Sequence, residues 1–158
     1  MGNVTSRLAE LGITLPAVAA PVASYVPAVR TGNQVWTSGQ LPFIDGKLAA
    51  SGKLGSAPTS VTVDQGAELA RVSALNALAA VGALVGGVDK ITRVLKVVGF
   101  VASDPDFTAQ PAVINGASNV LVEIFGDAGI HARSAVGVAV LPLDAPVEVE
   151  IVVEVEAG

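Results

Sequence analysis

Apolar residues change their spacing several times along the chain, and each change marks an expected element. Leu69, Val72, Leu75, Leu78, Val81 and Leu84 recur every third position, and Ala70, Ala74 and Ala77 widen the stripe. That is the pattern of a helix with one buried face. Thr62 and Gln65 have capping-box spacing, in which hydroxyl and amide each satisfy an orphan backbone N–H, so the helix begins near Thr62. Gly86-Gly87 ends it. A second helix is expected from Pro111, a residue suited to a first helical turn, to about Phe125, with Gly126 and Gly129 beyond. Asn3 is placed to cap a short helix over Val4–Leu11, closed by Gly12 and followed by Pro16.

The remaining apolar runs are short and β-branched. Tyr25–Val29 and Gln34–Ser38 read as strands joined at Thr31-Gly32-Asn33, a hairpin signal. Asp45-Gly46 marks a tight turn before Lys47–Ala49. Thr92–Val101 is a Val-rich buried strand with Lys96 in its interior, broken by Ser103-Asp104-Pro105-Asp106. Ser134–Val140 and Val147–Val155 close the chain as strands, while residues 16–24 and 51–60 are connectors by composition. Interleaving helices with strands requires crossovers that return over one sheet. The expected fold is α/β (α+β): a mixed sheet with both long helices on one face, the other face left partly apolar. We divide the chain into an N-terminal extension with a short helix, residues 1–18, and one domain, residues 19–158.

Composition narrows the function. The 158 residues fit one domain, and a hydrophobic fraction of 51% against 15% charged excludes a disordered chain. So much Ala, Val and Leu exceeds what one small core hides, and a homo-oligomer is expected. The net charge of −5, the lack of a basic stripe and an aromatic fraction of 4% argue against nucleic acid as a partner. There is no cysteine and only one histidine, His131, so neither a thiolate nucleophile nor a metal site is expected. The longest uncharged run in the middle of the chain, Val72 to Val88, is broken by Ser73, Asn76 and Gly86-Gly87 and reads as a buried helix, not a membrane span. With no secretory signal visible, a cytoplasmic location is expected. No phosphate-binding glycine loop or nucleophile elbow occurs, and no cofactor is expected. His131 reads as a loop residue near a site entrance or an ordinary solvated one.

The chemistry-bearing segment is His131-Ala132-Arg133-Ser134-Ala135-Val136-Gly137-Val138. Arg133 opens an otherwise apolar strand, and a guanidinium leaving water must find a partner. One reading pairs it with Glu148 or Glu150. The other leaves its fork partly free to grip a substrate carboxylate, an interaction of about 1.5–3 kcal/mol. Period two sends Glu148 and Glu150 to one face of their strand and Val149 to the other.

Arg133-Ser134-Ala135-Val136, Leu141-Pro142 and Val147-Glu148-Val149-Glu150 together resemble the C-terminal signature of the RidA/YjgF/L-PSP family. Tyr25–Val29, Gly32-Asn33, Thr37-Ser38-Gly39-Gln40-Leu41-Pro42, Asn76-Ala77-Leu78 and Val94–Val101 extend the resemblance over about residues 20–155. It implies a chorismate-mutase-like domain and a homotrimer with sites between subunits. It also implies hydrolytic deamination of 2-aminoacrylate-type enamines, or 2-imino acids, to 2-keto acids and ammonia. Arg133 would then hold the substrate carboxylate, and Glu148 would position or activate water. Tyr25, Ser38 and Gly39 would line the pocket, with the backbone of Ala135 facing the imine nitrogen. The family often has cysteine at the position of Ala135. The 1–18 extension and the spacing around Asn115-Gly116-Ala117-Ser118 depart from better-known members, and Phe43, Ile44 and the 51–60 loop are placed to reshape the pocket. Two other readings stand beside this one: a trimer that binds small carboxylates through the same Arg133 without turnover, and a ribonuclease or translation inhibitor, an activity ascribed to some family members, which the acidic balance disfavours.

Overall fold

The computed structural model describes residues 3–18 and 23–158. Its elements in chain order are α1 (Val4–Glu10), β1 (Ala28–Thr31), β2 (Gln34–Thr37), β3 (Phe43–Ile44), β4 (Lys47–Leu48), α2 (Val63–Val85), β5 (Ile91–Ala102), α3 (Gln110–Phe125), β6 (Ala132–Val138) and β7 (Val147–Val155). Five strands form one sheet in the order β1-β2-β7-β5-β6, and β3 pairs with β4 in a separate hairpin. Only β5 and β6, joined through α3, run parallel within the large sheet. The α+β architecture with a mixed sheet is therefore as expected, and α2 and α3 lie against each other on one face.

Strand β7 shows how strictly the faces are assigned. Val147, Val149, Ile151, Val153 and Val155 are buried towards the helices, whereas Glu148, Glu150, Val152 and Glu154 alternate to the other side. Burying each such apolar side chain contributes about 1.5–3 kcal/mol, so a one-residue slip in register costs the whole set. The other face carries Trp36, Lys96, Val98, Phe100, Glu148, Glu150 and Val152, and holds a shallow cleft of about 410 Å³ lined in part by Trp36, Lys96, Val98 and Glu150.

Several boundaries move. Helix α2 begins with the expected capping box, Gln65 N–H to Thr62 Oγ1 at 3.2 Å and Thr62 N–H to Gln65 Oε1 at 2.9 Å, and ends at left-handed Gly86. Its buried face centres on Ala70, Ala74, Ala77, Leu78 and Val81, while Leu84 is exposed and Val72 and Leu75 are only half-buried. A strict three-residue spacing falls behind the 3.6-residue turn and drifts off the buried face. Strand β1 covers Ala28–Thr31, not Tyr25–Val29, because Thr31 pairs with Gln34 across a two-residue Gly32-Asn33 turn. Strand β6 starts at Ala132 and ends at Val138, and β5 extends one residue further at each end than Thr92–Val101. Part of the 16–24 connector, residues 19–22, lies outside the described residues. Helix α1 is capped by Asn3 and packs Val4 and Leu8 into the same core as α2 and α3.

Candidate functional site

Arg133 is the second residue of the edge strand β6 and pairs with Val97, whose side chain is fully buried beneath the helices. Paired residues share a face, so the arginine points to the helical side. There its Nη1 donates to Asn115 Oδ1 at 2.9 Å and to Ser118 Oγ at 3.2 Å. Asn115 and Ser118 are three apart on α3 and occupy one helix face. Two glycines bring that helix close. A Cβ at Gly99 would strike the Ile114 side chain, and one at Gly116 would strike the backbone carbonyl of Ala67 on α2. Ala135, paired with Gly99, lies two residues on from Arg133 and on the same side.

His131 completes this group. Its Nδ1 is 2.6 Å from the Gly129 carbonyl and its Nε2 is 2.9 Å from Ser118 Oγ. A carbonyl only accepts, so in the neutral ring Nδ1 carries the hydrogen and Nε2 accepts from the Ser118 hydroxyl. Burial pulls the imidazole below its ordinary pKa of 6.5; the Gly129 bond opposes this, and the Arg133 charge adds to the lowering. Arg133 has no ion pair among the described residues, where the pairs are Arg7–Glu10, Arg71–Glu123 and Lys90–Glu156. Pairing with Glu148 or Glu150, one of the two expectations, does not occur within the chain. Those acids stand on the opposite face of the sheet.

Glu148 belongs to a second group. It pairs with Phe100, which in turn pairs with Val136, and all three share the face away from the helices. Strand β2 delivers its neighbours through a bulge. Trp36 pairs with Val152 and Gln40 with Val149, so four steps on one strand meet three on the other. The Thr37 hydroxyl fills the gap by accepting from Ile151 N–H at 3.0 Å. Gly39 then lies directly beneath the Glu148 carboxylate, where a Cβ would displace it. Ser38 is tied back to the segment before β1, donating from Oγ to the Val26 carbonyl at 2.7 Å and from N–H to the Pro27 carbonyl at 2.8 Å. Tyr25, immediately upstream, is 57% exposed. Asn76 on α2 holds the far side of this segment, donating to the Leu41 and Phe43 carbonyls at 3.1 Å each. Burial raises the Glu148 carboxyl above its ordinary value, and the neighbouring Glu150 raises it further.

The predicted site residues thus fall into two sets. Ser38, Gly39 and Glu148 come together on the open face, and Arg133 and Ala135 on the helical face at the β6 edge. Asn115 and Ser118 were not anticipated as partners of Arg133, although two polar residues three apart on an apolar helix carried the signal. His131 is not an ordinary solvated loop residue but a member of the arginine's hydrogen-bond chain. No cluster of three metal-ligating side chains occurs among the described residues. A larger cleft, about 680 Å³ between α1, α3 and the start of β5, is lined by none of these residues.

Residues 5–155 match the family model described as "YjgF/chorismate-mutase-like, putative endoribonuclease". The chain is 46% identical to Protein TCP17 of Trypanosoma cruzi over 97% of this chain and 94% of that protein. It is 32% identical to 2-iminobutanoate/2-iminopropanoate deaminase of Dermatophagoides farinae over 91% of this chain and 95% of that protein. Among solved structures it is similar to Atu1372 of Agrobacterium tumefaciens, a protein of unknown function, with 45% identity, a TM-score of 0.86 and coverage of 97% and 92% of the two chains. With the β-β-α-β-α-β-β order of its large sheet and the two helices that cover it, and a family match across almost its whole length, this chain belongs to the YjgF/chorismate-mutase-like (RidA/YjgF) family.

Proposed function

We propose that the protein hydrolyses small 2-imino acids, or the enamines in equilibrium with them, to 2-keto acids and ammonia, in a cytoplasmic homotrimer with sites between subunits. The observation that carries this reading is Arg133, whose guanidinium rests on two neutral acceptors and keeps its charge uncompensated within the chain. A planar fork in that state suits a carboxylate. The deaminase relative, 32% identical, supports the same chemistry. Arg133 and Glu148 face opposite sides of one sheet, so a site using both takes Arg133 from one copy and Glu148, Ser38 and Gly39 from another. The part-apolar open face, with Trp36 and Val136 exposed, supports such an assembly.

In this reading Arg133 binds the substrate carboxylate and the Ala135 backbone faces the imine nitrogen. Tyr25 and Ser38-Gly39 wall the pocket. Water attacks the imine carbon, the C=N electron pair moves to nitrogen, and Glu148 takes the water proton. Returned to nitrogen, that proton gives a carbinolamine. The carboxylate then carries the hydroxyl proton to nitrogen as well, the O–H electron pair forms the C=O bond as the C–N bond breaks, and ammonia leaves the 2-keto acid. A carboxylate raised by burial is suited to both halves of this exchange.

The test generates imino acids of several sizes in situ with an amino-acid oxidase and follows keto-acid and ammonia release. Arg133→Ala is expected to lose activity with the oligomer intact, raising KM by roughly tenfold to a hundredfold as a charge-assisted pair of about 1.5–3 kcal/mol is removed. Wild-type hydrolysis by this variant would reject the anchor. Carboxylate binding without turnover would make the protein a binding trimer, and salt-sensitive RNA cleavage would favour the endoribonuclease description carried by the family.

A further inference from the structure

Gly129, His131, Ser118 and Arg133 form one continuous chain of hydrogen bonds that ends on the guanidinium. Ser118 is its hinge. A hydroxyl has one proton and two lone pairs. With neutral His131, Ser118 gives its proton to Nε2 and accepts from Arg133 Nη1. Once Nε2 is protonated it becomes a donor, and Ser118 must accept from both cations. Its own hydrogen is then turned away from the ring and freed for another acceptor.

We propose that His131 and Ser118 are positioning residues that couple protonation of the single histidine to occupation of Arg133 by a carboxylate ligand. The inference rests on the reading of Arg133 as an anion anchor and adds a pH-responsive control of that site. The physical link is charge. Arg133 disfavours the imidazolium, and an anion seated on the guanidinium cancels that repulsion, so the ligand favours protonation of the ring. By linkage, protonation favours the ligand to the same extent.

The surroundings of the ring supply no stronger competing charge. From α3 it faces Ser118, and from the preceding turn it faces the Gly129 carbonyl. Glu123 on α3 is engaged by Arg71 at 3.1 Å, and Asp127 in the turn is exposed. Lys96 of β5 is paired with Ala132 and lies on the other face of the sheet, bonded to Ser134. Glu148 is the other group whose protonation alters ligand affinity, so it must be separated in the test.

Because the chain has one histidine, its imidazole resonances report on this residue alone. The experiment titrates the assembled protein by NMR between about pH 5 and 8, the range in which histidine changes charge, with and without 2-oxobutanoate, a keto acid whose carboxylate stays ionised throughout. Calorimetry measures affinity at both ends of the range. The coupling predicts an upward move of the His131 midpoint on saturation, and affinity about fivefold higher at the acidic end. Both persist in Glu148→Gln. Ser118→Ala weakens the response, and His131→Gln, which offers Ser118 an acceptor without taking up a proton, removes the pH dependence attributable to the ring. Binding that leaves the wild-type His131 midpoint unmoved overturns the coupling and spares the anchor. No binding of 2-oxobutanoate at any pH overturns the anchor, and the coupling with it.

Discussion

A guanidinium bonded to an amide and a hydroxyl is held in place without being neutralised, and that distinction separates an anchor from a structural ion pair. Asn115 and Ser118 do the holding in this chain. Gly39 plays the corresponding part for Glu148, since only a residue without a side chain fits beneath that carboxylate. Gly39→Ala is therefore expected to lower turnover by about tenfold to a hundredfold through displacement of Glu148, with an unchanged circular dichroism spectrum. Wild-type kinetics in that variant would dissociate Glu148 from the chemistry. Glu148 itself has a pH signature. Its folded pKa is raised by burial and by Glu150, so the folded state holds the proton more tightly than the unfolded chain does. Its contribution to stability is present below the ordinary value of 4.5 and is lost as pH rises through the raised folded value. Glu148→Gln should raise the Tm at neutral pH and leave it nearly unchanged near pH 4, so thermal unfolding at the two pH values checks the sign. Arg133 and Glu148 were legible as candidates because charges in Val-rich strands demand a reason. Their partners were not, since an asparagine and a serine on a helix look unremarkable until the strand beside them is known.

Helices α2 and α3 meet at Gly116, where the α3 backbone lies against the Ala67 carbonyl. The same approach brings Asn115 and Ser118, either side of that glycine, within reach of Arg133. Gly116→Ala would force the helices apart at a backbone atom that has little freedom to give. We expect a loss of about 1–3 kcal/mol in chemical denaturation together with weaker carboxylate binding; full stability would show that the helices shift without cost. At this scale the sequence was readable wherever local chemistry sets the boundary. The capping box at Thr62–Gln65, the glycine stop at Gly86 and the Asn3 cap all stand where their hydrogen bonds require. The three-residue leucine stripe misled because its drift is corrected only by what the helix packs against. Strand β1 was misplaced towards Tyr25 because register depends on the turn at Gly32-Asn33 and on pairing with β2.

Across the whole molecule the dominant fact is that one sheet separates the two chemically loaded groups. A site that unites them needs a second copy, and this can be tested by complementation. Arg133→Ala and Glu148→Gln proteins, unfolded and refolded as a one-to-one mixture and assayed at substrate levels where each alone is impaired, should regain about a quarter of wild-type activity, because random assembly leaves that share of inter-subunit sites with both residues intact. No recovery despite mixed oligomers would place both residues in separate roles. The open face that would meet a neighbour carries Trp36, Val98, Phe100 and Val136 beside Glu148 and Glu150.

The amino-acid sequence alone determined the order of the two long helices and the five strands of the large sheet, the helix caps, which residues of β7 look inward, and Arg133 and Glu148 as the candidates for chemistry. These follow from local hydrogen bonding and from the two-residue period of a strand. Only the tertiary structure decided that Arg133 and Glu148 point to opposite faces, that a bulge at Ser38-Gly39 seats the glutamate, and that α3 supplies the arginine's partners. Such facts depend on which strands become neighbours, in what register, and how closely a helix can approach, and no local pattern encodes them.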